Sequence, residues 1–154
     1  METTNRYAHP CKGELTIRTY DINDRLLYEY KTPNTIVNNA RGILANLLRG
    51  EDVTNKKITT MKVGTGTTAP TRDDVALKDG AALSISTTSA LVTGKPGEVK
   101  FSAELPIGAS GDGKTFTEVG LFSEDGTMFA RQVHTAQTKS SSVKLEYTWI
   151  IVFT

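Results

Sequence analysis

The stretch that most constrains the fold of this chain is its last one, from Ser142 to Thr154. Large apolar side chains occupy every second position there: Val143, Leu145, Tyr147, Trp149, Ile151 and Phe153. An apolar period of two is typical of a β-strand with one face in a hydrophobic core. The intervening positions are polar up to Thr148 and then become apolar. The pattern therefore predicts a strand that begins half-buried and ends covered on both faces.

One amphipathic helix is predicted at about residues 36–49. Apolar residues recur there at three- and four-residue spacing, which places them on one face of a helix. Asn34 is placed to cap the start, and Gly50 to end the helix in the left-handed conformation.

This helix is also the predicted cover for the second apolar face of the closing strand. That face carries Ile150 and Val152, and we expect both to contact apolar residues of the helix: Ile43, Leu44 or Leu47. A neighbouring subunit is the alternative cover.

The remaining sequence alternates between short strand patterns and turn signals. Strands are predicted as a hairpin within 13–31 and then at 58–63, 83–92, 99–105, 116–122 and 127–133. About seven or eight strands and one helix predict a mainly β protein, an antiparallel β-sandwich with the helix covering one face or edge. We expect an N-terminal arm at residues 1–12 and a single domain at residues 13–154.

Composition and charge argue against several classes of protein. The 18 basic and 17 acidic residues give a net charge of +1 without a basic run, so no nucleic-acid partner is expected. The single cysteine, Cys11, cannot form a disulfide within the chain. The longest apolar run, Trp149–Phe153, is too short to span a membrane. The first residues lack a secretory signal, so we expect synthesis in a cytoplasm and no membrane partner.

The stretch Gly108–Thr115 matches the phosphate-binding pattern G-x-x-x-x-G-K-[ST]. That chemistry requires a helix that begins at the lysine and points its N-terminal amides at the phosphates. The residues after Lys114 are instead rich in β-formers, and Gly120 falls in the second turn of the helix that would be needed. The favoured interpretation is a glycine-rich loop between strands, with no nucleotide cofactor.

No metal site and no catalytic residue is predicted. The soft metal ligands are His9, Cys11 and His134, one fewer than a structural zinc site needs, and we expect His134 at a surface or in a loop. The turn Asp21–Asp24 lacks the central glycine and the distal glutamate of a calcium loop. There is no G-x-S-x-G elbow, and spacing cannot pair the carboxylates. We therefore expect that the chain is not an enzyme.

Two stretches resemble a known family. Met61–Leu77 contains G-x-G-x-x-x-P, and Glu118–Arg131 opens with E-x-G-L-F. With the helix ahead of them and the tryptophan-bearing final strand after them, they resemble a domain of tailed-bacteriophage structural proteins, which are tail-fibre, baseplate or collar components. The resemblance covers about residues 34–154 and does not include the hairpin at 13–31.

The resemblance implies a non-enzymatic virion protein that assembles as a symmetric oligomer in the tail, baseplate or collar. Its partners would then be further copies of itself and other virion proteins. Two alternatives stay open, a head-decoration protein and a tail-fibre module that binds a host saccharide.

Seven residues are predicted to serve architecture or assembly: Gly64, Gly66, Pro70, Glu118, Gly120, Arg131 and Trp149. Glu118 lies among apolar residues in a predicted strand, where a carboxylate needs a partner. Arg131, on the other arm of the same predicted hairpin, is the candidate.

Overall fold

The computed structural model of the chain describes residues 11–51, 53–108 and 110–154. Within these residues there are ten strands and one helix. The first five strands are β1 (Cys11–Tyr20), β2 (Leu26–Pro33), β3 (Thr35–Ile36), β4 (Ile58–Gly64) and β5 (Ala81–Ser86). The next five are β6 (Thr88–Val92), β7 (Lys95–Leu105), β8 (Thr115–Ser123), β9 (Met128–Thr138) and β10 (Lys144–Phe153). The helix α1 is Asn39–Arg49.

The strands form two antiparallel sheets of five strands each. Sheet 1 has the order β2-β1-β10-β7-β6, and sheet 2 has the order β3-β9-β8-β4-β5. The predicted mainly β sandwich with one helix is confirmed. There are more strands than the seven or eight expected because Thr87 divides the predicted strand 83–92 into β5 and β6, which belong to different sheets. The two-residue strand β3 is a further addition.

The hydrophobic core lies between the two sheets, and β10 runs through the middle of sheet 1. Its alternate residues Tyr147, Trp149 and Ile151 are buried as the period of two predicts. Trp149 lies opposite Leu15 of β1 on one side and Phe101 of β7 on the other. The closing strand is therefore central to the sheet and contributes its largest side chain to the middle of the core.

The helix begins three residues later than predicted. Thr35 and Ile36 pair with β9 as β3, and the Val37 N–H donates a hydrogen bond to the Phe129 carbonyl at 3.1 Å. Backbone pairing with the edge of sheet 2 therefore takes residues that the apolar spacing had assigned to the helix. The N-cap position is held by Asn38, not Asn34, and the Asn38 side chain makes no capping hydrogen bond. The C-terminal end is as predicted, with Gly50 in the left-handed conformation at φ 66°.

The predicted contact of Ile150 and Val152 with the helix is wrong. The β10 residues next to α1 are Ile151 and Phe153, the same face that fills the core. With Ile43, Leu44, Leu47 and residues of both sheets they line an apolar cavity of about 250 Å³. The helix thus extends the core at one end of the sandwich and does not form a layer outside sheet 1.

The outer face of β10 is covered by its neighbours in the sheet. Ile150 lies between Glu14 of β1 and Lys100 of β7, and the lysine has a long alkyl stem. Val152 lies in the same way between Lys12 and Glu98. Such stems can cover apolar surface while the charged groups remain in water, which explains why Ile150 and Val152 are half-buried without a further layer.

The predicted boundary of the N-terminal arm is wrong at its end. Cys11 and Lys12 already belong to β1, where they pair with Phe153 and Val152. The remainder of the predicted arm, residues 1–10, lies outside the described residues. The helix α1 has 11 residues, and no helix in the described ranges is long and apolar enough to cross a membrane.

Candidate functional site: a buried ionic network on sheet 2

The β4–β5 connection, residues 65–80, lies across the outer face of sheet 2. Strand β8 presents Val119 and Leu121 to the inter-sheet core, so Phe122 lies on the opposite face. Leu77 of the connection joins Phe122 there in a second apolar cluster, together with Val37 and Met128. The connection is therefore packed as a layer of its own, and its polar groups must find partners beneath it.

Glu118 of β8 provides the central acceptor under the connection. Its side chain is fully buried, and its Oε1 accepts hydrogen bonds from the backbone N–H groups of Gly66 at 2.9 Å and Asp79 at 3.1 Å. Its Oε2 accepts one from the Lys78 N–H at 3.1 Å and one from Arg131 Nε at 2.9 Å. One carboxylate thus fixes both ends of the connection to the sheet.

Arg131 of β9 links this carboxylate to a second one. Its Nη2 lies 2.8 Å from Glu118 Oε2 and donates to the Thr68 carbonyl at 2.9 Å, while its Nη1 donates to Asp74 Oδ2 at 3.0 Å. The Arg131 side chain is fully buried. The predicted pairing of Glu118 with Arg131 is therefore present, and it is part of a larger network.

Asp74 completes the network from within the connection. It accepts hydrogen bonds from the Thr71 N–H at 3.0 Å and the Thr71 hydroxyl at 3.1 Å, and Lys78 Nζ lies 2.8 Å from its Oδ1. Two buried carboxylates thus face one buried guanidinium and the ammonium group of Lys78, whose side chain is 41% exposed, so the four charges of the network balance. A charge-balanced and hydrogen-bonded group can remain ionised in a protein interior, which an isolated charge cannot do.

The network holds both carboxylates in their ionised form. Burial raises the pKa of Asp74, but hydrogen bonds from Lys78, Thr71 and Arg131 outweigh it and lower the pKa from 3.8 to about 2. Burial acts on Glu118 in the same direction, and the Lys78 N–H, Arg131 and two further backbone N–H groups lower its pKa overall. The carboxylates therefore act as fixed anions and are not placed to exchange protons near neutral pH.

Three glycines of the two motifs leave space for the network and for the apolar cluster beside it. A Cβ at Gly66 would lie 2.4 Å from Glu118 Oε1, and one at Gly64 would lie 2.9 Å from the same atom. A Cβ at Gly120 would lie 2.6 Å from the Phe122 ring. Close approach thus explains these glycines. Gly64 and Gly66 are not required for an unusual backbone angle, since neither has a positive φ.

The structure gathers most of the predicted architectural residues in this one place. Gly64, Gly66, Glu118, Gly120 and Arg131 adjoin one another, and Pro70 is half-buried in the connection itself, next to Thr71. Trp149 lies apart, fully buried between the sheets.

Sequence reasoning missed Asp74, Lys78 and the backbone amides that face Glu118. The Thr71-x-x-Asp74 spacing, typical of a side chain that bonds to a nearby backbone N–H, is the signal that could have indicated Asp74. Nothing in the sequence distinguishes Lys78 from the other lysines.

The glycine-rich loop is not followed by a helix. Strand β8 begins directly at Thr115, and Lys114 is exposed. The lysine buried here is Lys139, which donates from Nζ to Asp112 Oδ1 at 2.5 Å and to the Ser140 carbonyl at 2.8 Å. The described residues 106–108 and 110–114 lie between β7 and β8, as the favoured interpretation expects.

The expected exposure of His134 is wrong. It is buried in β9 and packs edge-on against Tyr147, with ring centroids 5.8 Å apart. Burial lowers the pKa of His134, and burial of the Cys11 thiol raises its pKa to about 11. His9 lies outside the described residues. Among the residues that the structure does describe, no three His, Cys, Asp or Glu side chains are grouped as metal ligands.

No protein-family model, no curated protein sequence and no solved structure matches this chain.

Proposed function

We propose that the chain is a non-enzymatic structural protein of a tailed-phage virion, which assembles as a symmetric oligomer in the tail, baseplate or collar. Its partners are further copies of itself and other virion proteins. The proposal takes its family from the resemblance at residues 34–154. The structure supports the proposal through the role of the residues that carry the resemblance, which is to hold a long connection on sheet 2.

The observation that carries the proposal is the charge-balanced network around Glu118. The glycines, Glu118 and Arg131 of the two motifs hold a long connection rigidly against sheet 2, and both carboxylates are engaged with backbone or basic groups. A carboxylate that acts as a general acid or base needs a pKa near the working pH and access to a substrate, and neither Glu118 nor Asp74 has them. A rigid sandwich with a pinned outer layer suits a protein whose function is to present fixed surfaces to neighbours.

The test is the location of the protein. Particles purified from a phage that encodes this chain should contain it in a fixed number of copies, as quantified by mass spectrometry. Labelled antibodies in electron micrographs should place it at the tail, baseplate or collar. Absence from purified particles, together with a monomeric state at high concentration, would contradict the proposal.

The same experiments separate the two alternatives. Labelling over the head would indicate a decoration protein. Specific binding on a glycan array, abolished by changes in the loops, would indicate a host-saccharide module.

A further inference from the structure

The outer edge of β2 is the longest sheet edge in the described part of the chain. Four strands lie at the edges of the two sheets: β2 with 8 residues, β5 with 6, β6 with 5 and β3 with 2. No strand in the described ranges pairs with the outer side of β2. An open strand edge of this length is a template for pairing with another chain.

The backbone groups that face this open edge follow from the pairing with β1. The Asn34 N–H donates to the Gly13 carbonyl at 3.1 Å, and in an antiparallel pair such contacts recur at every second residue. Tyr30, which lies opposite Ile17, therefore directs its N–H and C=O towards β1. Glu29 and Lys31 direct theirs outward. Pro33 lies in the same series as Lys31, so its missing N–H costs no bond to β1 but removes one donor from a pairing across the open edge.

The side chains of this edge have complementary charges when the strand is paired with a second copy of itself. Glu29 and Lys31 lie on the same, outer face of sheet 1 and are both exposed, and Glu29 also accepts a hydrogen bond from Arg18 Nε of β1 at 2.7 Å. When β2 pairs with a second copy of β2, three antiparallel registers centred near the middle of the strand place Glu29 and Lys31 of both copies on the same face of the joined sheet. Centring on residue 29 places Glu29 opposite its own copy, and centring on residue 31 does the same for Lys31. Centring on Tyr30 places each Glu29 opposite the Lys31 of the other copy.

We propose that two copies of the chain join β2 to β2, antiparallel, about a twofold axis at Tyr30. The inference rests on the proposed assembly into symmetric oligomers and names the surface through which it begins. Each Glu29–Lys31 pair between copies then exchanges both backbone hydrogen bonds, and two five-stranded sheets become one sheet of ten. Tyr28 of each copy lies opposite Thr32 of the other.

The exposed apolar residues at one end of the edge fit the same arrangement. Leu26 and Leu27 are about half exposed, at 49% and 54%, and Tyr28 is 39% exposed. In the register centred on Tyr30, Leu27 lies opposite Pro33 of the second copy, so apolar side chains meet at both ends of the joined strands. Apolar surface of this kind on a strand edge is stabilised by burial against a partner.

A pair of complementary charge variants tests the register. Glu29→Lys carries two positive groups at positions 29 and 31, and Lys31→Glu carries two negative groups. Each variant alone should self-associate about tenfold more weakly than the wild type, since both cross-strand pairs become repulsive. An equimolar mixture should recover wild-type affinity as a heterodimer, because every pair is again opposite in sign. Sedimentation velocity across a dilution series measures this, with Lys114→Glu, an equal charge change on an exposed loop, as the control.

A cysteine variant tests the same geometry without relying on charge. Tyr30 and its copy form a pair without mutual backbone hydrogen bonds, where the Cα atoms lie about 4.5 Å apart. Tyr30→Cys should therefore form a disulfide-linked dimer under mild oxidation. Thr32→Cys is the matched control, because its copy lies about 13 Å away along the joined strands and cannot be bridged.

The outcomes separate this proposal from the proposed function. Recovery in the mixture and cross-linking confined to Tyr30→Cys support the β2 pairing. Oligomers that are indifferent to both sets of variants overturn it and leave assembly through another surface. A monomer at all concentrations overturns it as well, and indicates that Glu29 and Lys31 keep the edge in water. Should a charge variant fail to fold, as judged by circular dichroism, the two cysteine variants decide.

Discussion

Replacement of Glu118 by glutamine should lower the free energy of unfolding by about 3–5 kcal/mol. The carboxylate accepts hydrogen bonds from three backbone N–H groups and from Arg131, divided between its two oxygens. A glutamine amide keeps one of these acceptors, so its NH₂ group faces N–H donors whichever way it is turned. The substitution also leaves Arg131 with one buried carboxylate in place of two. With a denaturant slope of about 2 kcal/mol per molar, the midpoint of urea unfolding should fall by about 2 M.

The matched control is Glu51→Gln. Glu51 is also paired with an arginine, Arg49, but the two side chains are 66% and 62% exposed. Exposed pairs of this kind contribute about 0–1 kcal/mol, so this variant should unfold close to the wild type. A loss for Glu118→Gln as small as that of Glu51→Gln would refute the claim that the network holds the connection. Exchanging Glu118 and Arg131 should not restore stability, because a guanidinium at position 118 would meet three N–H donors.

Three further predictions concern space, acid and a buried hydroxyl. Gly66→Ala should lower the free energy of unfolding by about 2 kcal/mol or more, because its Cβ would overlap Glu118. Gly42→Ala in α1, whose Cβ would meet nothing within 4 Å, should instead stabilise the protein by about 0.5–1 kcal/mol. Urea unfolding measures both variants, and equal effects would contradict the overlap at Gly66. The pKa of Asp74 is about 2 in the folded protein and 3.8 in the unfolded chain, so the unfolded chain takes up the proton first as the pH falls. About 2 kcal/mol of the free energy of unfolding is therefore present above pH 4 and is lost between pH 4 and 2. In Asp74→Asn the free energy of unfolding should fall less steeply between pH 4 and 2. A decline parallel to that of the wild type would contradict the assignment to Asp74. Tyr147→Phe removes a buried hydroxyl that has no hydrogen-bond partner among the described residues. The free energy of unfolding, measured by thermal unfolding, should therefore fall by no more than about 1 kcal/mol or should rise. A larger fall would reveal a hydrogen bond of this hydroxyl.

The sheets were largely predictable from the sequence because strand periodicity is a local signal. The alternation in β10 indicated the buried face of a central strand, and Gly50 indicated the end of α1. The start of α1 was not predictable, since Ile36 and Val37 have helical spacing but their backbones pair with β9, an edge that another part of the chain supplies. In such cases backbone pairing that forms only in the folded protein overrides the local helical preference of the sequence.

The cover of Ile150 and Val152 could not be predicted for a related reason. A strand pattern shows which residues share a face but not which strands lie beside it. The neighbours prove to be Glu14 and Lys100 beside one residue and Lys12 and Glu98 beside the other. Charged residues are read from sequence as solvent-facing, and here the stems of Lys12 and Lys100 can also cover the apolar side chains beside them.

The same limit applies to the candidate site and bears on where partners bind. Glu118 and Arg131 were predictable as a pair because they lie across one hairpin, whereas Asp74 and the amides reach them from residues 65–80 through tertiary folding. The residues that carry the resemblance are therefore accounted for by packing within one subunit. In the proposed assembly, contacts with neighbours would then come from surfaces that the network does not occupy. The hairpin β1–β2 is such a surface: it lies outside the resemblance and, in the described residues, exposes the longest strand edge. Substitutions along β2 should accordingly change assembly with little effect on unfolding, and substitutions in the network should do the reverse.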